Sequence, residues 1–305
     1  MGVRKEMVMK MHRRRPLLDR FMVPICIIPT VALIVFLAAY PLAWSVYVVV
    51  RTWNPTSATL AAREGYFVGL SNFGYIVTDA LFSKSFQNSL YFTIVVVAIE
   101  FWLGMLAALL LFEEVRLGRI WRTMCIMPMI VTPVVVGVVW RGLWSSQFGF
   151  MNFIATATGL FPDVWLARVE WAMNALILAD VWEWYPFFFL IFLSGLYALP
   201  REPFEAAQID GASSLSAFRY LTLPMLAPLI VLAIILRAVD AFRTFDLIYV
   251  GTAGGPGTVT MTLSMYSFQY SFMFWREGIA LASAFLMMFA TVVFTYPLVK
   301  LLRFE

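Results

Sequence analysis

LPREPFEAAQIDGASSLSAFRYLTLPML, residues 199–226, is a polar interval between two long apolar runs. Leu199-Pro200 closes the first run, because proline turns the residue before it away from helical dihedrals. Pro203 suits the first turn of a short helix, where its missing N–H costs nothing. Glu205, Ala206, Ala207 and Gln208 continue that helix to Asp210. Gly211 can end it in a left-handed conformation. Ser213 or Ser214 can cap a second short helix, and Leu223-Pro224 leads into the next apolar run. The reading is a helix-turn-helix element, small enough at Ala206 and Ala207 to fit closely into a partner's cleft.

The flanking runs set the environment of this element. The chain has 305 residues, of which 62% are hydrophobic and 13% charged, with a mean hydropathy of +0.84. A soluble domain carries about 25% charged residues, so this composition predicts an integral membrane protein. A membrane helix needs about 20 mostly apolar residues. Six stretches qualify: 24–46, 90–112, 124–144, 172–199, 225–244 and 279–301. The expected fold is all-α, with residues 1–20 as a basic tail and 21–305 as one six-helix domain. Arg4, Lys5, Lys10, Arg13, Arg14, Arg15, Arg20, Arg116, Arg119, Arg122, Arg201, Arg219, Lys300 and Arg303 fall on one side of these spans. Arg51, Arg63, Lys84, Arg168 and Arg276 fall on the other. The positive-inside bias places both termini in the cytoplasm, and Trp53, Tyr66, Trp165, Trp171 and Trp275 are expected at the outer interface.

The net charge of +4 does not point to nucleic acid, because the basic residues cluster in the tail and beside the spans, as an anionic leaflet would favour. The first apolar run, 21–50, is too long for the apolar core of a cleaved leader. Cys26 and Cys125 have no metal-ligand spacing and read as free thiols, and the one histidine, His12, supports no zinc site or catalytic triad. No G-x-x-x-x-G-K-[ST] stretch occurs, so P-loop binding of ATP is not expected. Catalytic and metal sites are expected to be absent.

Charges inside spans are costly unless paired or facing a cavity, at about 2.5–3.5 kcal/mol each on insertion scales. Arg237, Asp240 and Arg243 are spaced three apart along one face, Asp246 extends the stripe and Thr244 neighbours it. They form either a polar wall of a translocation path or an internal Arg–Asp ladder. Asp180 and Glu183 lie beside Trp182, Trp184 and Tyr185, a chemistry suited to sugar hydroxyls and C–H faces. Pro186 is placed to kink that span. Asp180 and Glu183 are one turn apart and point the same way, which does not fit a glycosidase pair flanking a bond. Glu100 could pair with a neighbouring helix or with a second subunit.

Glu205-Ala206-Ala207, three residues, Gly211, nine residues, then Leu221-Thr222-Leu223-Pro224 resembles the signature of ABC importer permeases, with leucine at the usual isoleucine position. FVGLSNFGYI, SFQNSLYFT and MPMIVTPVVVGVVWRGLW are similar to segments of sugar permeases, and RAVDAFRTFDLIYVGTAGGPG followed by TLSMYSFQYSF is similar to the fifth span and following loop of the maltose and trehalose type. The resemblance implies a type I ABC importer permease (MetI-like) fold in a bacterial inner membrane. It implies that loop 199–224 docks on an ATPase subunit through Glu205, Ala206, Ala207, Asp210, Gly211, Leu223 and Pro224. It further implies import of a carbohydrate, a di- or oligosaccharide such as trehalose or maltose, by alternating access. The permease itself would hold no cofactor, ATP and magnesium being bound by a dimer of partner ATPase subunits. A second homologous permease and an extracytoplasmic binding protein complete the expected assembly. Asp180, Trp182, Glu183, Tyr185, Arg237, Asp240, Arg243, Thr244 and Asp246 are the path candidates. An ion-coupled secondary transporter would share the intramembrane carboxylates but commonly shows an internal duplication, absent here.

Overall fold

The computed structural model describes residues 17–57, 59, 65–113, 116–159 and 165–302. Most of the basic tail therefore lies outside the described residues, as do Arg63 and Arg303. The described chain is helical, and no strand longer than an isolated bridge occurs among these residues. In order, the helices are α1 (Leu17–Val49), α2 (Ser71–Thr78), α3 (Ala80–Phe112), α4 (Gly118–Ile126), α5 (Pro133–Leu143), α6 (Phe150–Thr158) and α7 (Ala172–Ala198). They continue as α8 (Glu202–Ile209), α9 (Ser214–Ala217), α10 (Leu223–Phe242), α11 (Asp246–Gly251), α12 (Leu263–Phe268) and α13 (Glu277–Leu302). Five helices are long and apolar enough to cross a membrane, or six with a bent pair counted as one span.

α3 and α7 form the most extensive helix pair and carry the core. Gly104 makes their close approach possible: a Cβ built there would lie 2.5 Å from Phe188 Cβ and 2.8 Å from Phe189 N. Small residues at such crossings let membrane helices pack on backbone. Phe188, Phe189 and Phe192 are fully buried beside this crossing. α10 packs on α3, α7 and α13, while α1 lies at the edge against α13 with its apolar length exposed.

Several expectations are corrected. The second span begins ten residues earlier than 90, at Ala80, because Asp79 caps it: its Oδ1 accepts from Leu81 N at 2.9 Å. The third span, expected as one helix over 124–144, is broken. Residues 118–130 and α5 meet at 96°. Pro133 supplies no N–H to a preceding turn, and Thr132 is driven to extended dihedrals, ψ 145°. α7 runs as one helix from Ala172 to Ala198 with Pro186 inside it. Trp165 is buried and stacked on Trp144 at 4.2 Å rather than standing at the interface.

The segment between α11 and α13 is tied to the bundle by side-chain bonds to its backbone. Asn88 donates to the carbonyls of Thr258 and Met261, and Ser89 Oγ accepts from Leu263 N. Asp79 Oδ2 accepts from Tyr266 and Tyr270 at 2.7 and 3.1 Å. Burial raises the Tyr266 hydroxyl above its ordinary pKa, and the bond to Asp79 adds to this, so it remains a donor at neutral pH. Asp79→Ala removes the cap and both tyrosine acceptors. The expected loss is roughly 1–3 kcal/mol, read as a lowered unfolding midpoint in detergent; an unchanged midpoint would show that this junction does not hold α3 to α12.

Candidate functional site

Arg237 is the centre of the bundle's charge. α10 carries it, 2% exposed, against α3 and α7. Its Nε donates to Glu100 Oε2 at 2.8 Å and its Nη2 to Glu100 Oε1 at 2.9 Å, a two-pronged pair between helices. Nη2 also donates to Asp180 Oδ2, and Nη1 to Asp240 Oδ2 at 3.1 Å. The guanidinium carbon lies 5.0 Å from the centre of the Trp184 ring. A bidentate fork with further carboxylate partners is the geometry in which a buried guanidinium is tolerated.

This cluster backs a cavity of about 350 Å3 lined by Pro133, Asp180, Trp184, Asp240, Arg243, Thr244, Phe245, Asp246 and Leu247. Two helix interruptions meet there: the break before α5 at Pro133, and the turn at 243–245 between α10 and α11. Irregular backbone within a membrane protein is tolerated where it lines a cavity or is buried in protein.

The path candidates divide on this geometry. Asp180, Asp240, Arg243, Thr244 and Asp246 converge on the cavity wall. They do not form one helical stripe, since α10 ends at Phe242 and α11 starts at Asp246. Nor is Arg237 in a ladder confined to its own helix; of its partners only Asp240 is local. Arg243 instead turns its Nε to the Val239 carbonyl at 3.2 Å. Trp182 and Tyr185 are not on the cavity wall. At about 100° per residue they leave α7 on a different side from Asp180, and Trp182 packs on Trp140 of α5 at 6.0 Å. Glu183 is buried, and its Oε2 has no hydrogen-bond partner among the described residues. The wall aromatic is Trp184, one turn beyond Asp180. That i, i+4 spacing was readable but does not by itself say which aromatic faces inward. Cys26 and Cys125 are free, and no group of metal-ligating side chains occurs among the described residues.

At the other end of α10, the 199–224 loop has α8 ending in a Schellman turn. Gly211 has φ +75°, its N–H bonds the Gln208 carbonyl, and Ala212 N–H bonds the Ala207 carbonyl at 2.9 Å. Asp210 is the C-cap residue, and Ser213 Oγ caps α9 by accepting from Ser216 N. Glu205 and Ala206 are exposed and Ala207 half-buried. Ile209 is 87% and Leu215 75% exposed. α9 passes through a π turn at Phe218–Thr222 into α10, with Leu223 half-buried and Pro224 exposed in the first turn.

A helical bundle of five or six apolar spans, with paired charges at its centre and broken helices around a polar cavity, is a polytopic membrane transport protein. The model of the binding-protein-dependent transport system inner membrane component family matches residues 100–302, and the chain belongs to that family. It is 36% identical to the trehalose/maltose transport system permease protein of Thermococcus litoralis, over 79% of this chain and 82% of that one. It is 30% identical to the sulfoquinovosyl glycerol transport system permease protein of Agrobacterium fabrum, over 93% and 91%. Its fold matches that of a bacterial ABC transporter involved in import of the acidic polysaccharide alginate, with a TM-score of 0.80 at 19% identity over 94% and 96% of the chains. The chain is a permease subunit of an ABC importer. It is not an enzyme, and ATP hydrolysis belongs to separate subunits.

Proposed function

We propose that this permease moves a di- or oligosaccharide, of the trehalose or maltose kind, from a binding protein to the cytoplasm by alternating access. The cavity beside Trp184 is the sugar path: carboxylate oxygens accept from hydroxyls, and the indole face receives the C–H face of a sugar ring. Loop 199–224 is the docking element for an ATPase subunit, which binds ATP and magnesium. One such loop per chain serves one ATPase, so a second permease chain completes the assembly. Both termini lie in the cytoplasm of a bacterial cell, with the permease in its inner membrane.

The observation that carries the reading is the mechanical path between loop and cavity. The exposed Ile209 and Leu215 offer apolar contact to a partner. Helical structure is continuous from Ser214 to Phe242 and carries Arg237 and Asp240 to the cavity. A displacement of the loop is thereby delivered to the charge cluster.

Gly211→Val tests it in the assembled transporter. A β-branched residue at φ +75° is strained by about 1–2 kcal/mol while the space around the site is open. The turn should shift, weakening ATPase retention about five- to thirtyfold and lowering binding-protein-stimulated ATP hydrolysis, with the permease still folded. If copurification and stimulated hydrolysis both match wild type, the loop is only a connector and the docking reading fails.

A further inference from the structure

The wall of the cavity carries three carboxylates, from Asp180, Asp240 and Asp246, against one guanidinium, from Arg243. Arg237 stands behind the wall, buried, with its donors taken by Glu100, Asp180 and Asp240. Even with both guanidiniums set against the three wall aspartates, and Glu100 and Glu183 left out, the site keeps a net negative charge. Helix ends do not reverse this. The positive ends of α5 at Pro133 and of the short α11 at Asp246 stand against the negative end of α10 at Arg243, leaving about half a positive charge, less than the carboxylate excess. A cleft of one sign between low-dielectric walls focuses its potential on whatever enters.

We infer that this cavity is selective by charge: it takes neutral or amino-bearing sugars and rejects sugars carrying phosphate, sulfonate or uronate groups. The inference rests on the reading of the cavity as the sugar path. A carboxylate has about four lone-pair sites, so Asp180 and Asp240 keep acceptor capacity for hydroxyl or ammonium donors after bonding Arg237. An anionic group finds acceptors where it needs donors. Its one cationic partner on the wall is Arg243, whose Nε is given to the Val239 carbonyl and whose remaining donors stand among three carboxylates of opposite effect on the anion.

The potential can be measured without knowing the cargo. Thr244→Cys, in a Cys26→Ser/Cys125→Ser background of the assembled transporter, places a thiol on the wall. Its rates of mixed-disulfide formation, with methanesulfinate leaving, with a trimethylammonium methanethiosulfonate and a sulfonate methanethiosulfonate are compared with those of a free cysteine. The cationic reagent is expected to be favoured about tenfold or more, and adding Asp246→Asn should reduce that preference severalfold. Phe245→Cys, also on the wall, repeats the measurement if Thr244→Cys does not fold. Equal rates, faster reaction of the anion, or no labelling by either reagent would overturn the inference. Uptake of radiolabelled trehalose, trehalosamine and trehalose 6-phosphate by cells carrying the transporter is the second arm. The first two should enter and the phosphate should not; phosphate uptake at a comparable rate overturns the inference. Cation preference with no sugar of the panel taken up leaves the charge selectivity standing and removes the trehalose reading instead.

Discussion

Arg237→Met should leave little folded permease. The substitution keeps an apolar stem of similar length and removes the one cation that Glu100 and Asp180 share in the bundle's interior. Both carboxylates would then be buried without a counter-charge. Breaking a buried pair by removing one partner costs about 3–5 kcal/mol, far more than the pair contributes over a well-packed apolar replacement. That asymmetry provides the control. Glu100→Gln/Asp180→Asn/Arg237→Met removes the charges together and should recover most of the lost stability. Size-exclusion chromatography after a temperature ramp, in detergent, reads both. If Arg237→Met alone unfolds at the wild-type midpoint, the cluster is not what holds α3, α7 and α10 together. The triple variant is also expected to lose uptake, since Asp180 and Trp184 sit on the cavity wall and Arg237 holds Asp180 and underlies the Trp184 ring.

The second large effect is at Gly104. A Cβ there meets Phe188 Cβ and the backbone of Phe188 and Phe189 at distances that real Cβ atoms do not show. Backbone on the far side leaves no side chain free to rotate away, so α3 and α7 must separate. Overpacking of this kind costs typically about 1–3 kcal/mol. Gly104→Ala should lie at the lower end and Gly104→Val above it. The cost reaches the site as well, because Glu100 lies one turn away on the same face of α3, and its partner Arg237 of α10 also bonds Asp180 of α7, so parting α3 from α7 strains that cluster. Thermal midpoints of the two variants should fall in that order. A Gly104→Val protein as stable as wild type would mean that the α3–α7 crossing is looser than these distances.

Span number and the character of the 199–224 loop were open to reading because both depend on local rules. Apolar length sets a membrane helix. Proline, glycine and serine act on their own backbone within a few residues, and so Gly211 could be placed at its turn and the cap narrowed to Ser213 or Ser214, of which the structure uses Ser213. The break of the third span had a local cause too, Pro133, but its 96° bend depends on what packs around it. Pro186 has the same chemistry and interrupts nothing. Proline removes one bond; the neighbouring helices decide whether the chain bends there.

For the charges, local spacing was not enough. It identified Arg237 and Asp240 as neighbours. The principal partner of Arg237, Glu100, is 137 residues away in sequence, and Asp180 comes from a third helix. The same spacing favoured Trp182 and Tyr185 as path residues and passed over Trp184, but the orientation of α7 against α5 and α10 put Trp184 alone of the three on the wall. From its sequence by itself this protein is determined to be a helical membrane protein with a polar helix-turn-helix loop between two spans, because hydropathy and turn chemistry are properties of consecutive residues. Which charges neutralise each other, and which remain on the cavity wall, only the tertiary structure decided, because electrostatic energy depends on distances across helices that no sequence interval contains.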